Sequence, residues 1–436
     1  MQTLPSDPGS GLALAPFRGI RYARDRVSGI ANVTSPPYDV ISGGSLEHLR
    51  AADPHNVVRL ILPGDDAGAR QVAATLLREW LSAGVLSRDP TPALYLYEQA
   101  GQASSWLQRG IIGLVRLGSP ETAGILPHES VMPGLVADRR ELMAATQANL
   151  EPIFLIYDGQ RAGAATEMID AVAAERAPQV SIATEDGVTH RLWRLGHPDE
   201  QDAMVADLAG RRALIADGHH RYAAYLELQA ETRASGLGAG PWDYGLAFLV
   251  DSDAYPPQLG AIHRVLPGLP PEHAVELAKA AFTVHELPAG AGLALALEHL
   301  AAAGREGTAF LLAGGSAEAP GFWLLSQPDP VQVAASMPAG ASAQWRCLGA
   351  SVMQQLLMGR LWGIADSERD VLINHDAADA VRAAASTGAT AIICNPPSFE
   401  AVIEIAAHGE RVPRMSTSFG PKPRTGLVLR TFGPSS

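Results

Sequence analysis

Apolar and polar residues follow two different periods along this chain, which predicts both helices and strands. Residues 67–83 repeat apolar side chains at helical spacing, whereas residues 93–99 alternate with the period of two that is typical of a strand. A second β-rich run covers residues 106–117 and ends at a Gly/Pro-containing break near residue 120. Residues 1–120 are therefore predicted to form an N-terminal α/β region.

The middle of the chain contains the clearest succession of strand, turn and helix. Residues 212–216 predict a short buried strand, residues 217–221 a polar turn, and residues 222–228 a helix. Upstream, a helix is predicted to open at Asp138 and a strand to cover residues 152–157. Chemistry in α/β proteins is concentrated where a strand hands over to a helix.

The remainder of the chain alternates alanine-rich helical patterns with short apolar strands. Helices are predicted over 272–282, 289–303, 349–362 and 376–386, and strands over 309–312, 321–325 and 391–394. Residues 414–423 form a polar, cationic segment. The sequence thus predicts a mixed α/β protein with three regions, namely residues 1–120, 121–265 and 266–436.

Composition narrows the functional classes. A formal charge of −13 disfavours nucleic acid as a partner, because it repels a phosphodiester backbone. Two cysteines, Cys347 and Cys394, are too few for a disulfide framework, which favours a reducing cytoplasm. No export signal is recognisable in residues 1–19, and no run reaches the roughly 20 apolar residues of a membrane span. We therefore expect a cytoplasmic protein without a membrane partner; its oligomeric state stays open.

The strongest chemical signal is the run Asp217-Gly218-His219-His220-Arg221. The N–H groups and the dipole at the start of the following helix favour an anion, and an arginine offers a planar fork for phosphate oxygens. Glycine allows the backbone to approach a ligand closely. The alternative is an ordinary helix cap, with Asp217 as N-cap and Arg221 paired with a surface acid.

Two kinds of metal ion are candidates for this motif, zinc and magnesium. His219 and His220 point about 100° apart if they are neighbours in a helix, so the pair is a poor chelate for zinc. Magnesium bound by Asp217 together with phosphate oxygens is the better prediction, because that ion uses few carboxylates and keeps its waters.

A second carboxylate, Glu129, follows His128 in a predicted loop before a helix. If the two loops converge, Glu129 is placed to accept a proton from a substrate hydroxyl, and His128 to contact the substrate. The alternative is that Glu129 is a solvated loop acid.

Two terminal segments offer further candidate site residues. Ser416, Thr417 and Lys422 are candidates for binding phosphate, and Tyr38 and Asp39 for lining a substrate pocket. The alternative for both segments is a surface turn.

The chain resembles a bacterial and archaeal family of unknown function whose hallmark is the string found here at residues 215–222, Ile-Ala-Asp-Gly-His-His-Arg-Tyr. The resemblance includes the segments 15–19, 36–41, 56–60, 127–129 and 416–422. A more distant similarity links Pro127-x-Glu129 and the Asp217–Arg221 motif to the ParB/sulfiredoxin-like fold of free-serine kinases. In this chain residues 144–210 separate the two motifs as a long insertion, and Met415 stands where the family commonly has lysine.

That similarity implies a ParB/sulfiredoxin-like core over residues 121–265 and a phosphoryl transfer to a small hydroxylated metabolite such as serine. Glu129 and Asp217 would be catalytic, and Gly218, His219, His220 and Arg221 would surround the phosphates of ATP, ADP or pyrophosphate with Mg²⁺. Sulfiredoxin-type reduction is excluded because His219 stands where that chemistry needs a cysteine. A non-catalytic nucleotide-binding regulatory protein of ParB type stays as the alternative.

Overall fold

The computed structural model describes residues 11–41, 43–64, 66, 68–101, 106–159, 163–315, 320–367 and 370–432. The chain forms two compact units. Unit 1 contains the residues up to Pro127, then Val131–Pro257, and the segment from Pro421 onwards; unit 2 contains His128–Ser130 and Gln258–Gly420. The predicted mixed α/β class is confirmed, whereas the division at residues 120 and 265 stays a prediction. Residues 1–10, which carry part of the prediction about an export signal, lie outside the described residues.

The strands are numbered in chain order. They are β1 (Leu14–Ala15), β2 (Ile20–Tyr22), β3 (Leu86–Arg88), β4 (Leu94–Gly101), β5 (Leu107–Arg116), β6 (Ile125–Leu126), β7 (Ala148–Asn149), β8 (Ile153–Tyr157), β9 (Val180–Ala183), β10 (Val188–Leu195), β11 (Ala213–Asp217), β12 (Tyr244–Asp251), β13 (Gln258–Gly260), β14 (His263–Leu266), β15 (Thr283–Glu286), β16 (Phe310–Gly315), β17 (Pro320–Ser326), β18 (Leu372–Asn374), β19 (Thr390–Cys394), β20 (Ser418–Gly420) and β21 (Arg430–Thr431).

The α-helices are numbered in the same way. They are α1 (Ile30–Val33), α2 (Gly43–Ala52), α3 (Val58–Ile61), α4 (Ala69–Ser82), α5 (Pro120–Ala123), α6 (Pro133–Thr146), α7 (Ala164–Glu175), α8 (Pro198–Leu208), α9 (His219–Ala234), α10 (Pro271–Ala278), α11 (Leu293–Glu306), α12 (Pro330–Ser336), α13 (Ala343–Cys347), α14 (Gly349–Val352), α15 (Ala377–Thr387) and α16 (Phe399–Ala407). Short 3₁₀ turns cover Arg24–Arg26, Tyr38–Val40 and Pro241–Asp243, and a π-helical segment, Met353–Leu361, continues α14. Among the described residues, no helix combines the length and apolar character that crossing a membrane requires.

Unit 1 is built on a sheet that has nine strands within its described part. Their order is β6-β11-β8-β12-β5-β4-β10-β9, with β1 paired to β5. Strand β8 runs parallel to β12 and antiparallel to β11. These three strands are buried along their whole length, because they are made of continuous apolar runs rather than alternating ones. The centre of the sheet therefore provides a rigid support for the residues at its strand ends.

The connection between β11 and α9 depends on one glycine. Gly218 has φ 95° and ψ 28°, a left-handed conformation that glycine adopts without a steric penalty. The strand consequently ends at Asp217 and the helix begins at His219, which corrects the predicted five-residue turn over 217–221. The pairing of β11 with β8 also shifts register between Ile215 and Asp217, and such an irregularity re-aims the side chain at the strand end.

Unit 2 contains an antiparallel six-stranded sheet in the order β15-β17-β16-β19-β14-β18. Alternate residues of its strands enter two different apolar clusters. In β16, Phe310 and Leu312 belong to the cluster that includes residues of α10 and the π-helical segment, and Leu311 and Ala313 to the cluster that includes residues of α11 and α15. This period of two shows that helices cover both faces of the sheet.

The strands predicted over residues 93–99, 106–117 and 152–157 correspond to β4, β5 and β8. Their predicted ends lie within two residues of the observed ends. The helix expected to open at Asp138 begins five residues earlier, at Pro133. A proline is well suited to the first turn of a helix because its missing N–H has no intrahelical partner there.

Candidate functional site

The candidate site of unit 1 starts at the end of β11. Asp217 is the last residue of that buried strand, and its side chain is 8% exposed. It faces the start of α9, a helix of 16 residues whose N-cap, Gly218, carries no side chain that could cap the free N–H groups. The strand thus presents a carboxylate at the positive end of a helix dipole.

Two cations bind the Asp217 carboxylate. Arg221, one turn into α9 and only 3% exposed, donates from Nη2 to Oδ2 and from Nη1 to the carbonyl oxygen of Pro152 at 2.5 Å. Lys422 Nζ lies 2.6 Å from the other carboxylate oxygen, Oδ1. Arg221 Nε is buried and has no hydrogen-bond partner among the described residues. The motif therefore retains one buried donor for which the described residues offer no acceptor.

A second carboxylate, Asp39, shares the same lysine. Asp39 lies in the 3₁₀ turn Tyr38–Val40, and its Oδ2 accepts a hydrogen bond from Lys422 Nζ. The side chain of Asp39 is 34% exposed and that of Lys422 is 23% exposed, so the cluster opens toward solvent on this side. We call Asp39, Asp217, Arg221 and Lys422 the acid-base cluster.

Lys422 reaches the cluster because its backbone is fixed on both sides. The carbonyl oxygen of Pro421 accepts a hydrogen bond from Gln99 Nε2 at 3.3 Å, and the N–H of Arg424 donates to the Tyr97 hydroxyl at 3.1 Å. Both side chains come from β4 of unit 1. Lys279 and Lys422 are the only lysines among 33 lysine and arginine residues. That rarity of the compact ammonium group is the sequence signal that sets Lys422 apart from the arginines.

The charges of the cluster shift the pKa values of its members. Burial alone would raise the pKa of Asp217, but Lys422 and Arg221 outweigh it and hold the pKa below its ordinary value. Burial, and then the charge of Asp217, raise the pKa of Asp39 despite the nearby lysine. Burial disfavours the charged form of Lys422, yet the two carboxylates raise its pKa. At neutral pH the ammonium is therefore charged and firmly held.

Two buried residues that contact Tyr38, namely Glu151 and Arg139, are not among the site residues predicted from the sequence. The Tyr38 N–H donates to Glu151 Oε1 at 3.1 Å, and the Arg139 guanidinium carbon lies 4.4 Å from the centroid of the Tyr38 ring. Burial raises the pKa of Tyr38 to about 12 and also raises the pKa of Glu151. The available signal in the sequence was Glu151, an acid that closely precedes the apolar strand β8. These contacts fix the turn that carries Asp39.

Magnesium at Asp217 does not fit this arrangement. Both oxygens of the carboxylate already face a cation, Lys422 on Oδ1 and Arg221 on Oδ2, and a divalent ion would be strongly repelled by them. Within the described ranges, no group of three or more histidine, cysteine, aspartate or glutamate side chains is arranged to hold a metal ion. The two cations on its carboxylate thus argue against the predicted metal role of Asp217.

The two histidines of the motif lie in the first turn of α9 instead of in a turn before it. His219 is buried, with 8% of its surface exposed. His220 Nε2 accepts a hydrogen bond from the Met132 N–H at 3.1 Å, which assigns the ring proton to Nδ1 in the neutral form. Burial lowers the pKa of His220, and this favours the same neutral form.

Glu129 and His128 belong to unit 2, where they bind the same threonine. The Thr417 hydroxyl donates to Glu129 Oε1 at 2.7 Å and lies 2.8 Å from His128 Nε2. A hydroxyl has a single proton, so Nε2 must be the donor to Thr417. His128 is fully buried, whereas Glu129 is partly exposed. The predicted pair thus becomes a donor chain from histidine through threonine to a carboxylate.

The predicted phosphate-binding residues of the tail are divided between the units. Ser416 and Thr417 belong to unit 2, and Lys422 belongs to unit 1. The Ser416 hydroxyl donates to the carbonyl oxygen of Pro413 at 2.5 Å and is buried. The structure thus brings Asp39, Asp217, Arg221 and Lys422 together in one unit, and His128, Glu129 and Thr417 in the other.

Alanine in place of Gly218 is expected to lower the free energy of unfolding by about 2 kcal/mol, since the left-handed φ is strained for any residue with a Cβ. That Cβ would also lie 3.0 Å from Ile153 Cγ2 and 3.1 Å from Arg221 Nε. Gly236 is the matched control, because it has φ 86° but open space around it, so its alanine variant should lose only about 1 kcal/mol. If urea unfolding showed that the two alanine variants lose the same free energy of unfolding, close packing at Gly218 would be contradicted.

Methionine in place of Lys422 is expected to lower the free energy of unfolding by about 2 kcal/mol at pH 7, less than a fully buried pair would lose. Because the folded-state pKa of Asp217 is depressed, its contribution is present above about pH 4 and disappears as the pH falls through that pKa. Because the folded-state pKa of Lys422 is raised, the contribution of the lysine is fully present below about pH 10 and is lost as the pH rises from there through the folded-state pKa.

Urea unfolding between pH 3 and pH 10 measures this difference. Lys279 provides the control, because its pair with Glu276 is exposed and its methionine variant should change stability by less than about 0.5 kcal/mol. If the Lys422 variant lost the same free energy at pH 3 as at pH 7, the ion pair would not be its cause.

The chain matches a protein family by sequence and several solved structures by fold. A family model described as "Protein of unknown function (DUF1015)" matches residues 14–335. No curated protein is significantly similar to the chain. Among solved structures, a free serine kinase in complex with AMP is 18% identical, with a TM-score of 0.33, over 68% of this chain and 84% of that chain.

Two further structures are similar at the same level. A conserved hypothetical protein from Pyrococcus furiosus is 15% identical, with a TM-score of 0.33, over 70% of this chain and 90% of that chain. A C-terminally truncated SbnI from Staphylococcus aureus is 12% identical, with a TM-score of 0.33, over 71% of this chain and 82% of that chain.

Proposed function

The chain belongs to the DUF1015 family, and we propose that it is a phosphotransferase that moves a phosphoryl group from a nucleotide or pyrophosphate to a small hydroxylated metabolite. Serine is the first acceptor to test. The proposal includes a ParB/sulfiredoxin-like core over residues 121–265, with Asp217 and Glu129 as catalytic residues.

One observation carries the proposal, namely the convergence of the acid-base cluster on the start of α9. Its members come from three distant parts of the sequence: the turn at Asp39, the motif at Asp217 and Arg221, and the tail at Lys422. Two cations and a helix N-terminus surround one strand end, and this combination is suited to phosphate oxygens. Arg221 Nε, for which the described part of the chain offers no hydrogen-bond partner, adds a buried donor at the same place.

Phosphoryl transfer requires positioning and electrostatic stabilisation more than covalent participation of the protein. In the proposed reaction, the bond between the terminal phosphorus and the bridging oxygen of the donor breaks, and a new bond forms to the hydroxyl oxygen of the acceptor. The hydroxyl proton passes to Glu129, and the shortened donor leaves with the negative charge. Lys422 has three N–H donors and can bind phosphate oxygens while it keeps a bond to Asp217.

Glu129 is suited to its proposed role by its hydrogen bonds within unit 2. The Thr417 hydroxyl donates to one carboxylate oxygen, so Glu129 is held as an acceptor. Its side chain is partly exposed and remains accessible to a small molecule. A general base has to meet both conditions before it can take a proton from a hydroxyl.

Phosphorus-31 NMR of the full-length protein tests the proposal. ATP, ADP and pyrophosphate are each incubated with L-serine, and then with other small hydroxy acids and polyols, in a buffer that contains magnesium. We expect a new phosphomonoester signal that requires both donor and acceptor. A donor that is consumed equally without any acceptor would indicate hydrolysis instead and would contradict the proposed transfer.

The alternative function is nucleotide binding without catalysis. It is favoured by the two cations that occupy the Asp217 carboxylate, because such pairing also suits a purely structural or binding role. A protein that binds nucleotide by calorimetry and forms no phosphomonoester with any donor and acceptor pair would be a regulator of this kind.

A further inference from the structure

Unit 2 contains a cavity of about 630 Å³. Apolar side chains form much of its wall, among them Phe310, Leu348, Val352 and Met353. Its volume falls within the range of roughly 300–1,000 Å³ that is usual for small-molecule sites. The cavity is therefore large enough for an organic ligand of drug-like or metabolite size.

The charge of this cavity is opposite to that of the protein as a whole. Its described lining residues contain two arginines, Arg264 and Arg346, and no aspartate or glutamate, although the chain carries a formal charge of −13. A positively charged wall in an acidic protein attracts anions locally.

Arg264 is the more unusual of the two arginines. It lies in β14, between β18 and β19, and is 1% exposed. Its Nη2 donates to the carbonyl oxygens of Arg414 and Met415 at 2.8 and 2.9 Å, but Nε and Nη1 have no partner among the described residues. An incompletely paired guanidinium is costly in the interior. Burial accordingly lowers its pKa.

Arg346, in a different element, also has a buried donor without a partner among the described residues. It lies in α13 and is partly exposed, and the donor is its Nε. Two guanidinium groups with unsatisfied donors therefore line the same apolar cavity. An anionic group would satisfy them, and the apolar wall would bury the rest of the molecule.

We propose that this cavity binds an organic anion, namely a molecule with an apolar ring or chain and one carboxylate, sulfonate or phosphate group, with its anionic group next to Arg264 and Arg346. This proposal does not rest on the proposed phosphotransferase activity. It belongs to unit 2 alone, and its test requires neither a nucleotide nor turnover.

Two fluorescent dyes that differ by one charge test the proposal on the full-length protein. 1-Anilinonaphthalene-8-sulfonate is an aromatic anion, and N-phenyl-1-naphthylamine is the same molecule without the sulfonate. We expect the wild-type protein to bind the sulfonate with 1:1 stoichiometry and at least about tenfold more tightly than the neutral dye, as for a hydrogen bond to a charged group. Equal affinities for the two dyes would overturn the proposal.

Three variants locate the interaction. The Arg264→Met variant should lose the preference for the sulfonate and keep its affinity for the neutral dye, and the Arg346→Met variant should lose part of the preference. Arg382→Met is the matched control, since Arg382 lies on α15, is 70% exposed and does not line the cavity. If the Arg264→Met variant fails to fold, the proposal is still tested by the Arg346→Met variant and by the ratio of the affinities of the wild-type protein for the two dyes. An unchanged preference in every folded cavity variant, or a loss in the control, would overturn the proposal.

Discussion

Asparagine in place of Asp217 is expected to reduce phosphomonoester formation by at least about a thousandfold, because the change removes the carboxylate on which the two cations of the site are arranged. The same change deprives the buried Arg221 of the carboxylate that it contacts directly. We therefore expect the free energy of unfolding to fall by about 3 kcal/mol or more. Initial rates by phosphorus-31 NMR and urea unfolding measure the two effects separately.

Asp207 provides a matched control for that variant. Asp207 and Arg211 form a second aspartate–arginine pair with the same spacing of four residues, and their side chains are 14% and 13% exposed. The Asp207→Asn variant should lose stability but keep its rate per folded molecule. If both asparagine variants lost activity to the same extent, the loss would follow from instability and Asp217 would have no special role.

Glutamine in place of Glu129 is expected to lower kcat by about 10²- to 10⁴-fold, the usual contribution of a general base. The amide oxygen can still accept the hydrogen bond of Thr417, so stability and KM should change little. Steady-state rates and thermal unfolding of the same preparation check this combination. A small loss of kcat with a large loss of stability would contradict a catalytic role.

Two further variants complete the test of Glu129. Thr417→Val removes the hydroxyl that orients the carboxylate, and we expect about a tenfold loss of kcat. Glu121→Gln is the control, because Glu121 is an exposed acid at the start of α5. Equal rates for the wild-type and the Glu129→Gln protein would show that Glu129 is not the general base.

The sequence predicted the strand before Asp217 because a continuous apolar run with clear boundaries has few alternatives. It did not predict that His219–Arg221 would already belong to the helix. That outcome depends on the left-handed conformation of Gly218, which turns the chain within one residue. A pattern of residue types indicates that glycine permits such a conformation but not that it adopts it.

The partners of Asp217 could be recognised only as separate candidates. Lys422 and Asp39 are 383 positions apart, and no periodicity connects residues at such a distance. Their meeting depends on how β4 fixes the tail and how Glu151 and Arg139 fix the Tyr38 turn. Arg264 was not recognised at all, since nothing in its sequence neighbourhood distinguishes a buried arginine from a surface one.

The phosphate site proposed at Asp217 requires that Lys422 binds phosphate oxygens. Since Lys279 and Lys422 are the only lysines, the protein labelled with nitrogen-15 lysine gives two side-chain ammonium signals, and a Lys279→Arg variant assigns them. We predict that pyrophosphate or ADP shifts the Lys422 signal in a saturable manner and leaves the Lys279 signal unchanged. A Lys422 signal that stays in place at saturating ligand, or two signals that move together, would contradict a phosphate site at Asp217.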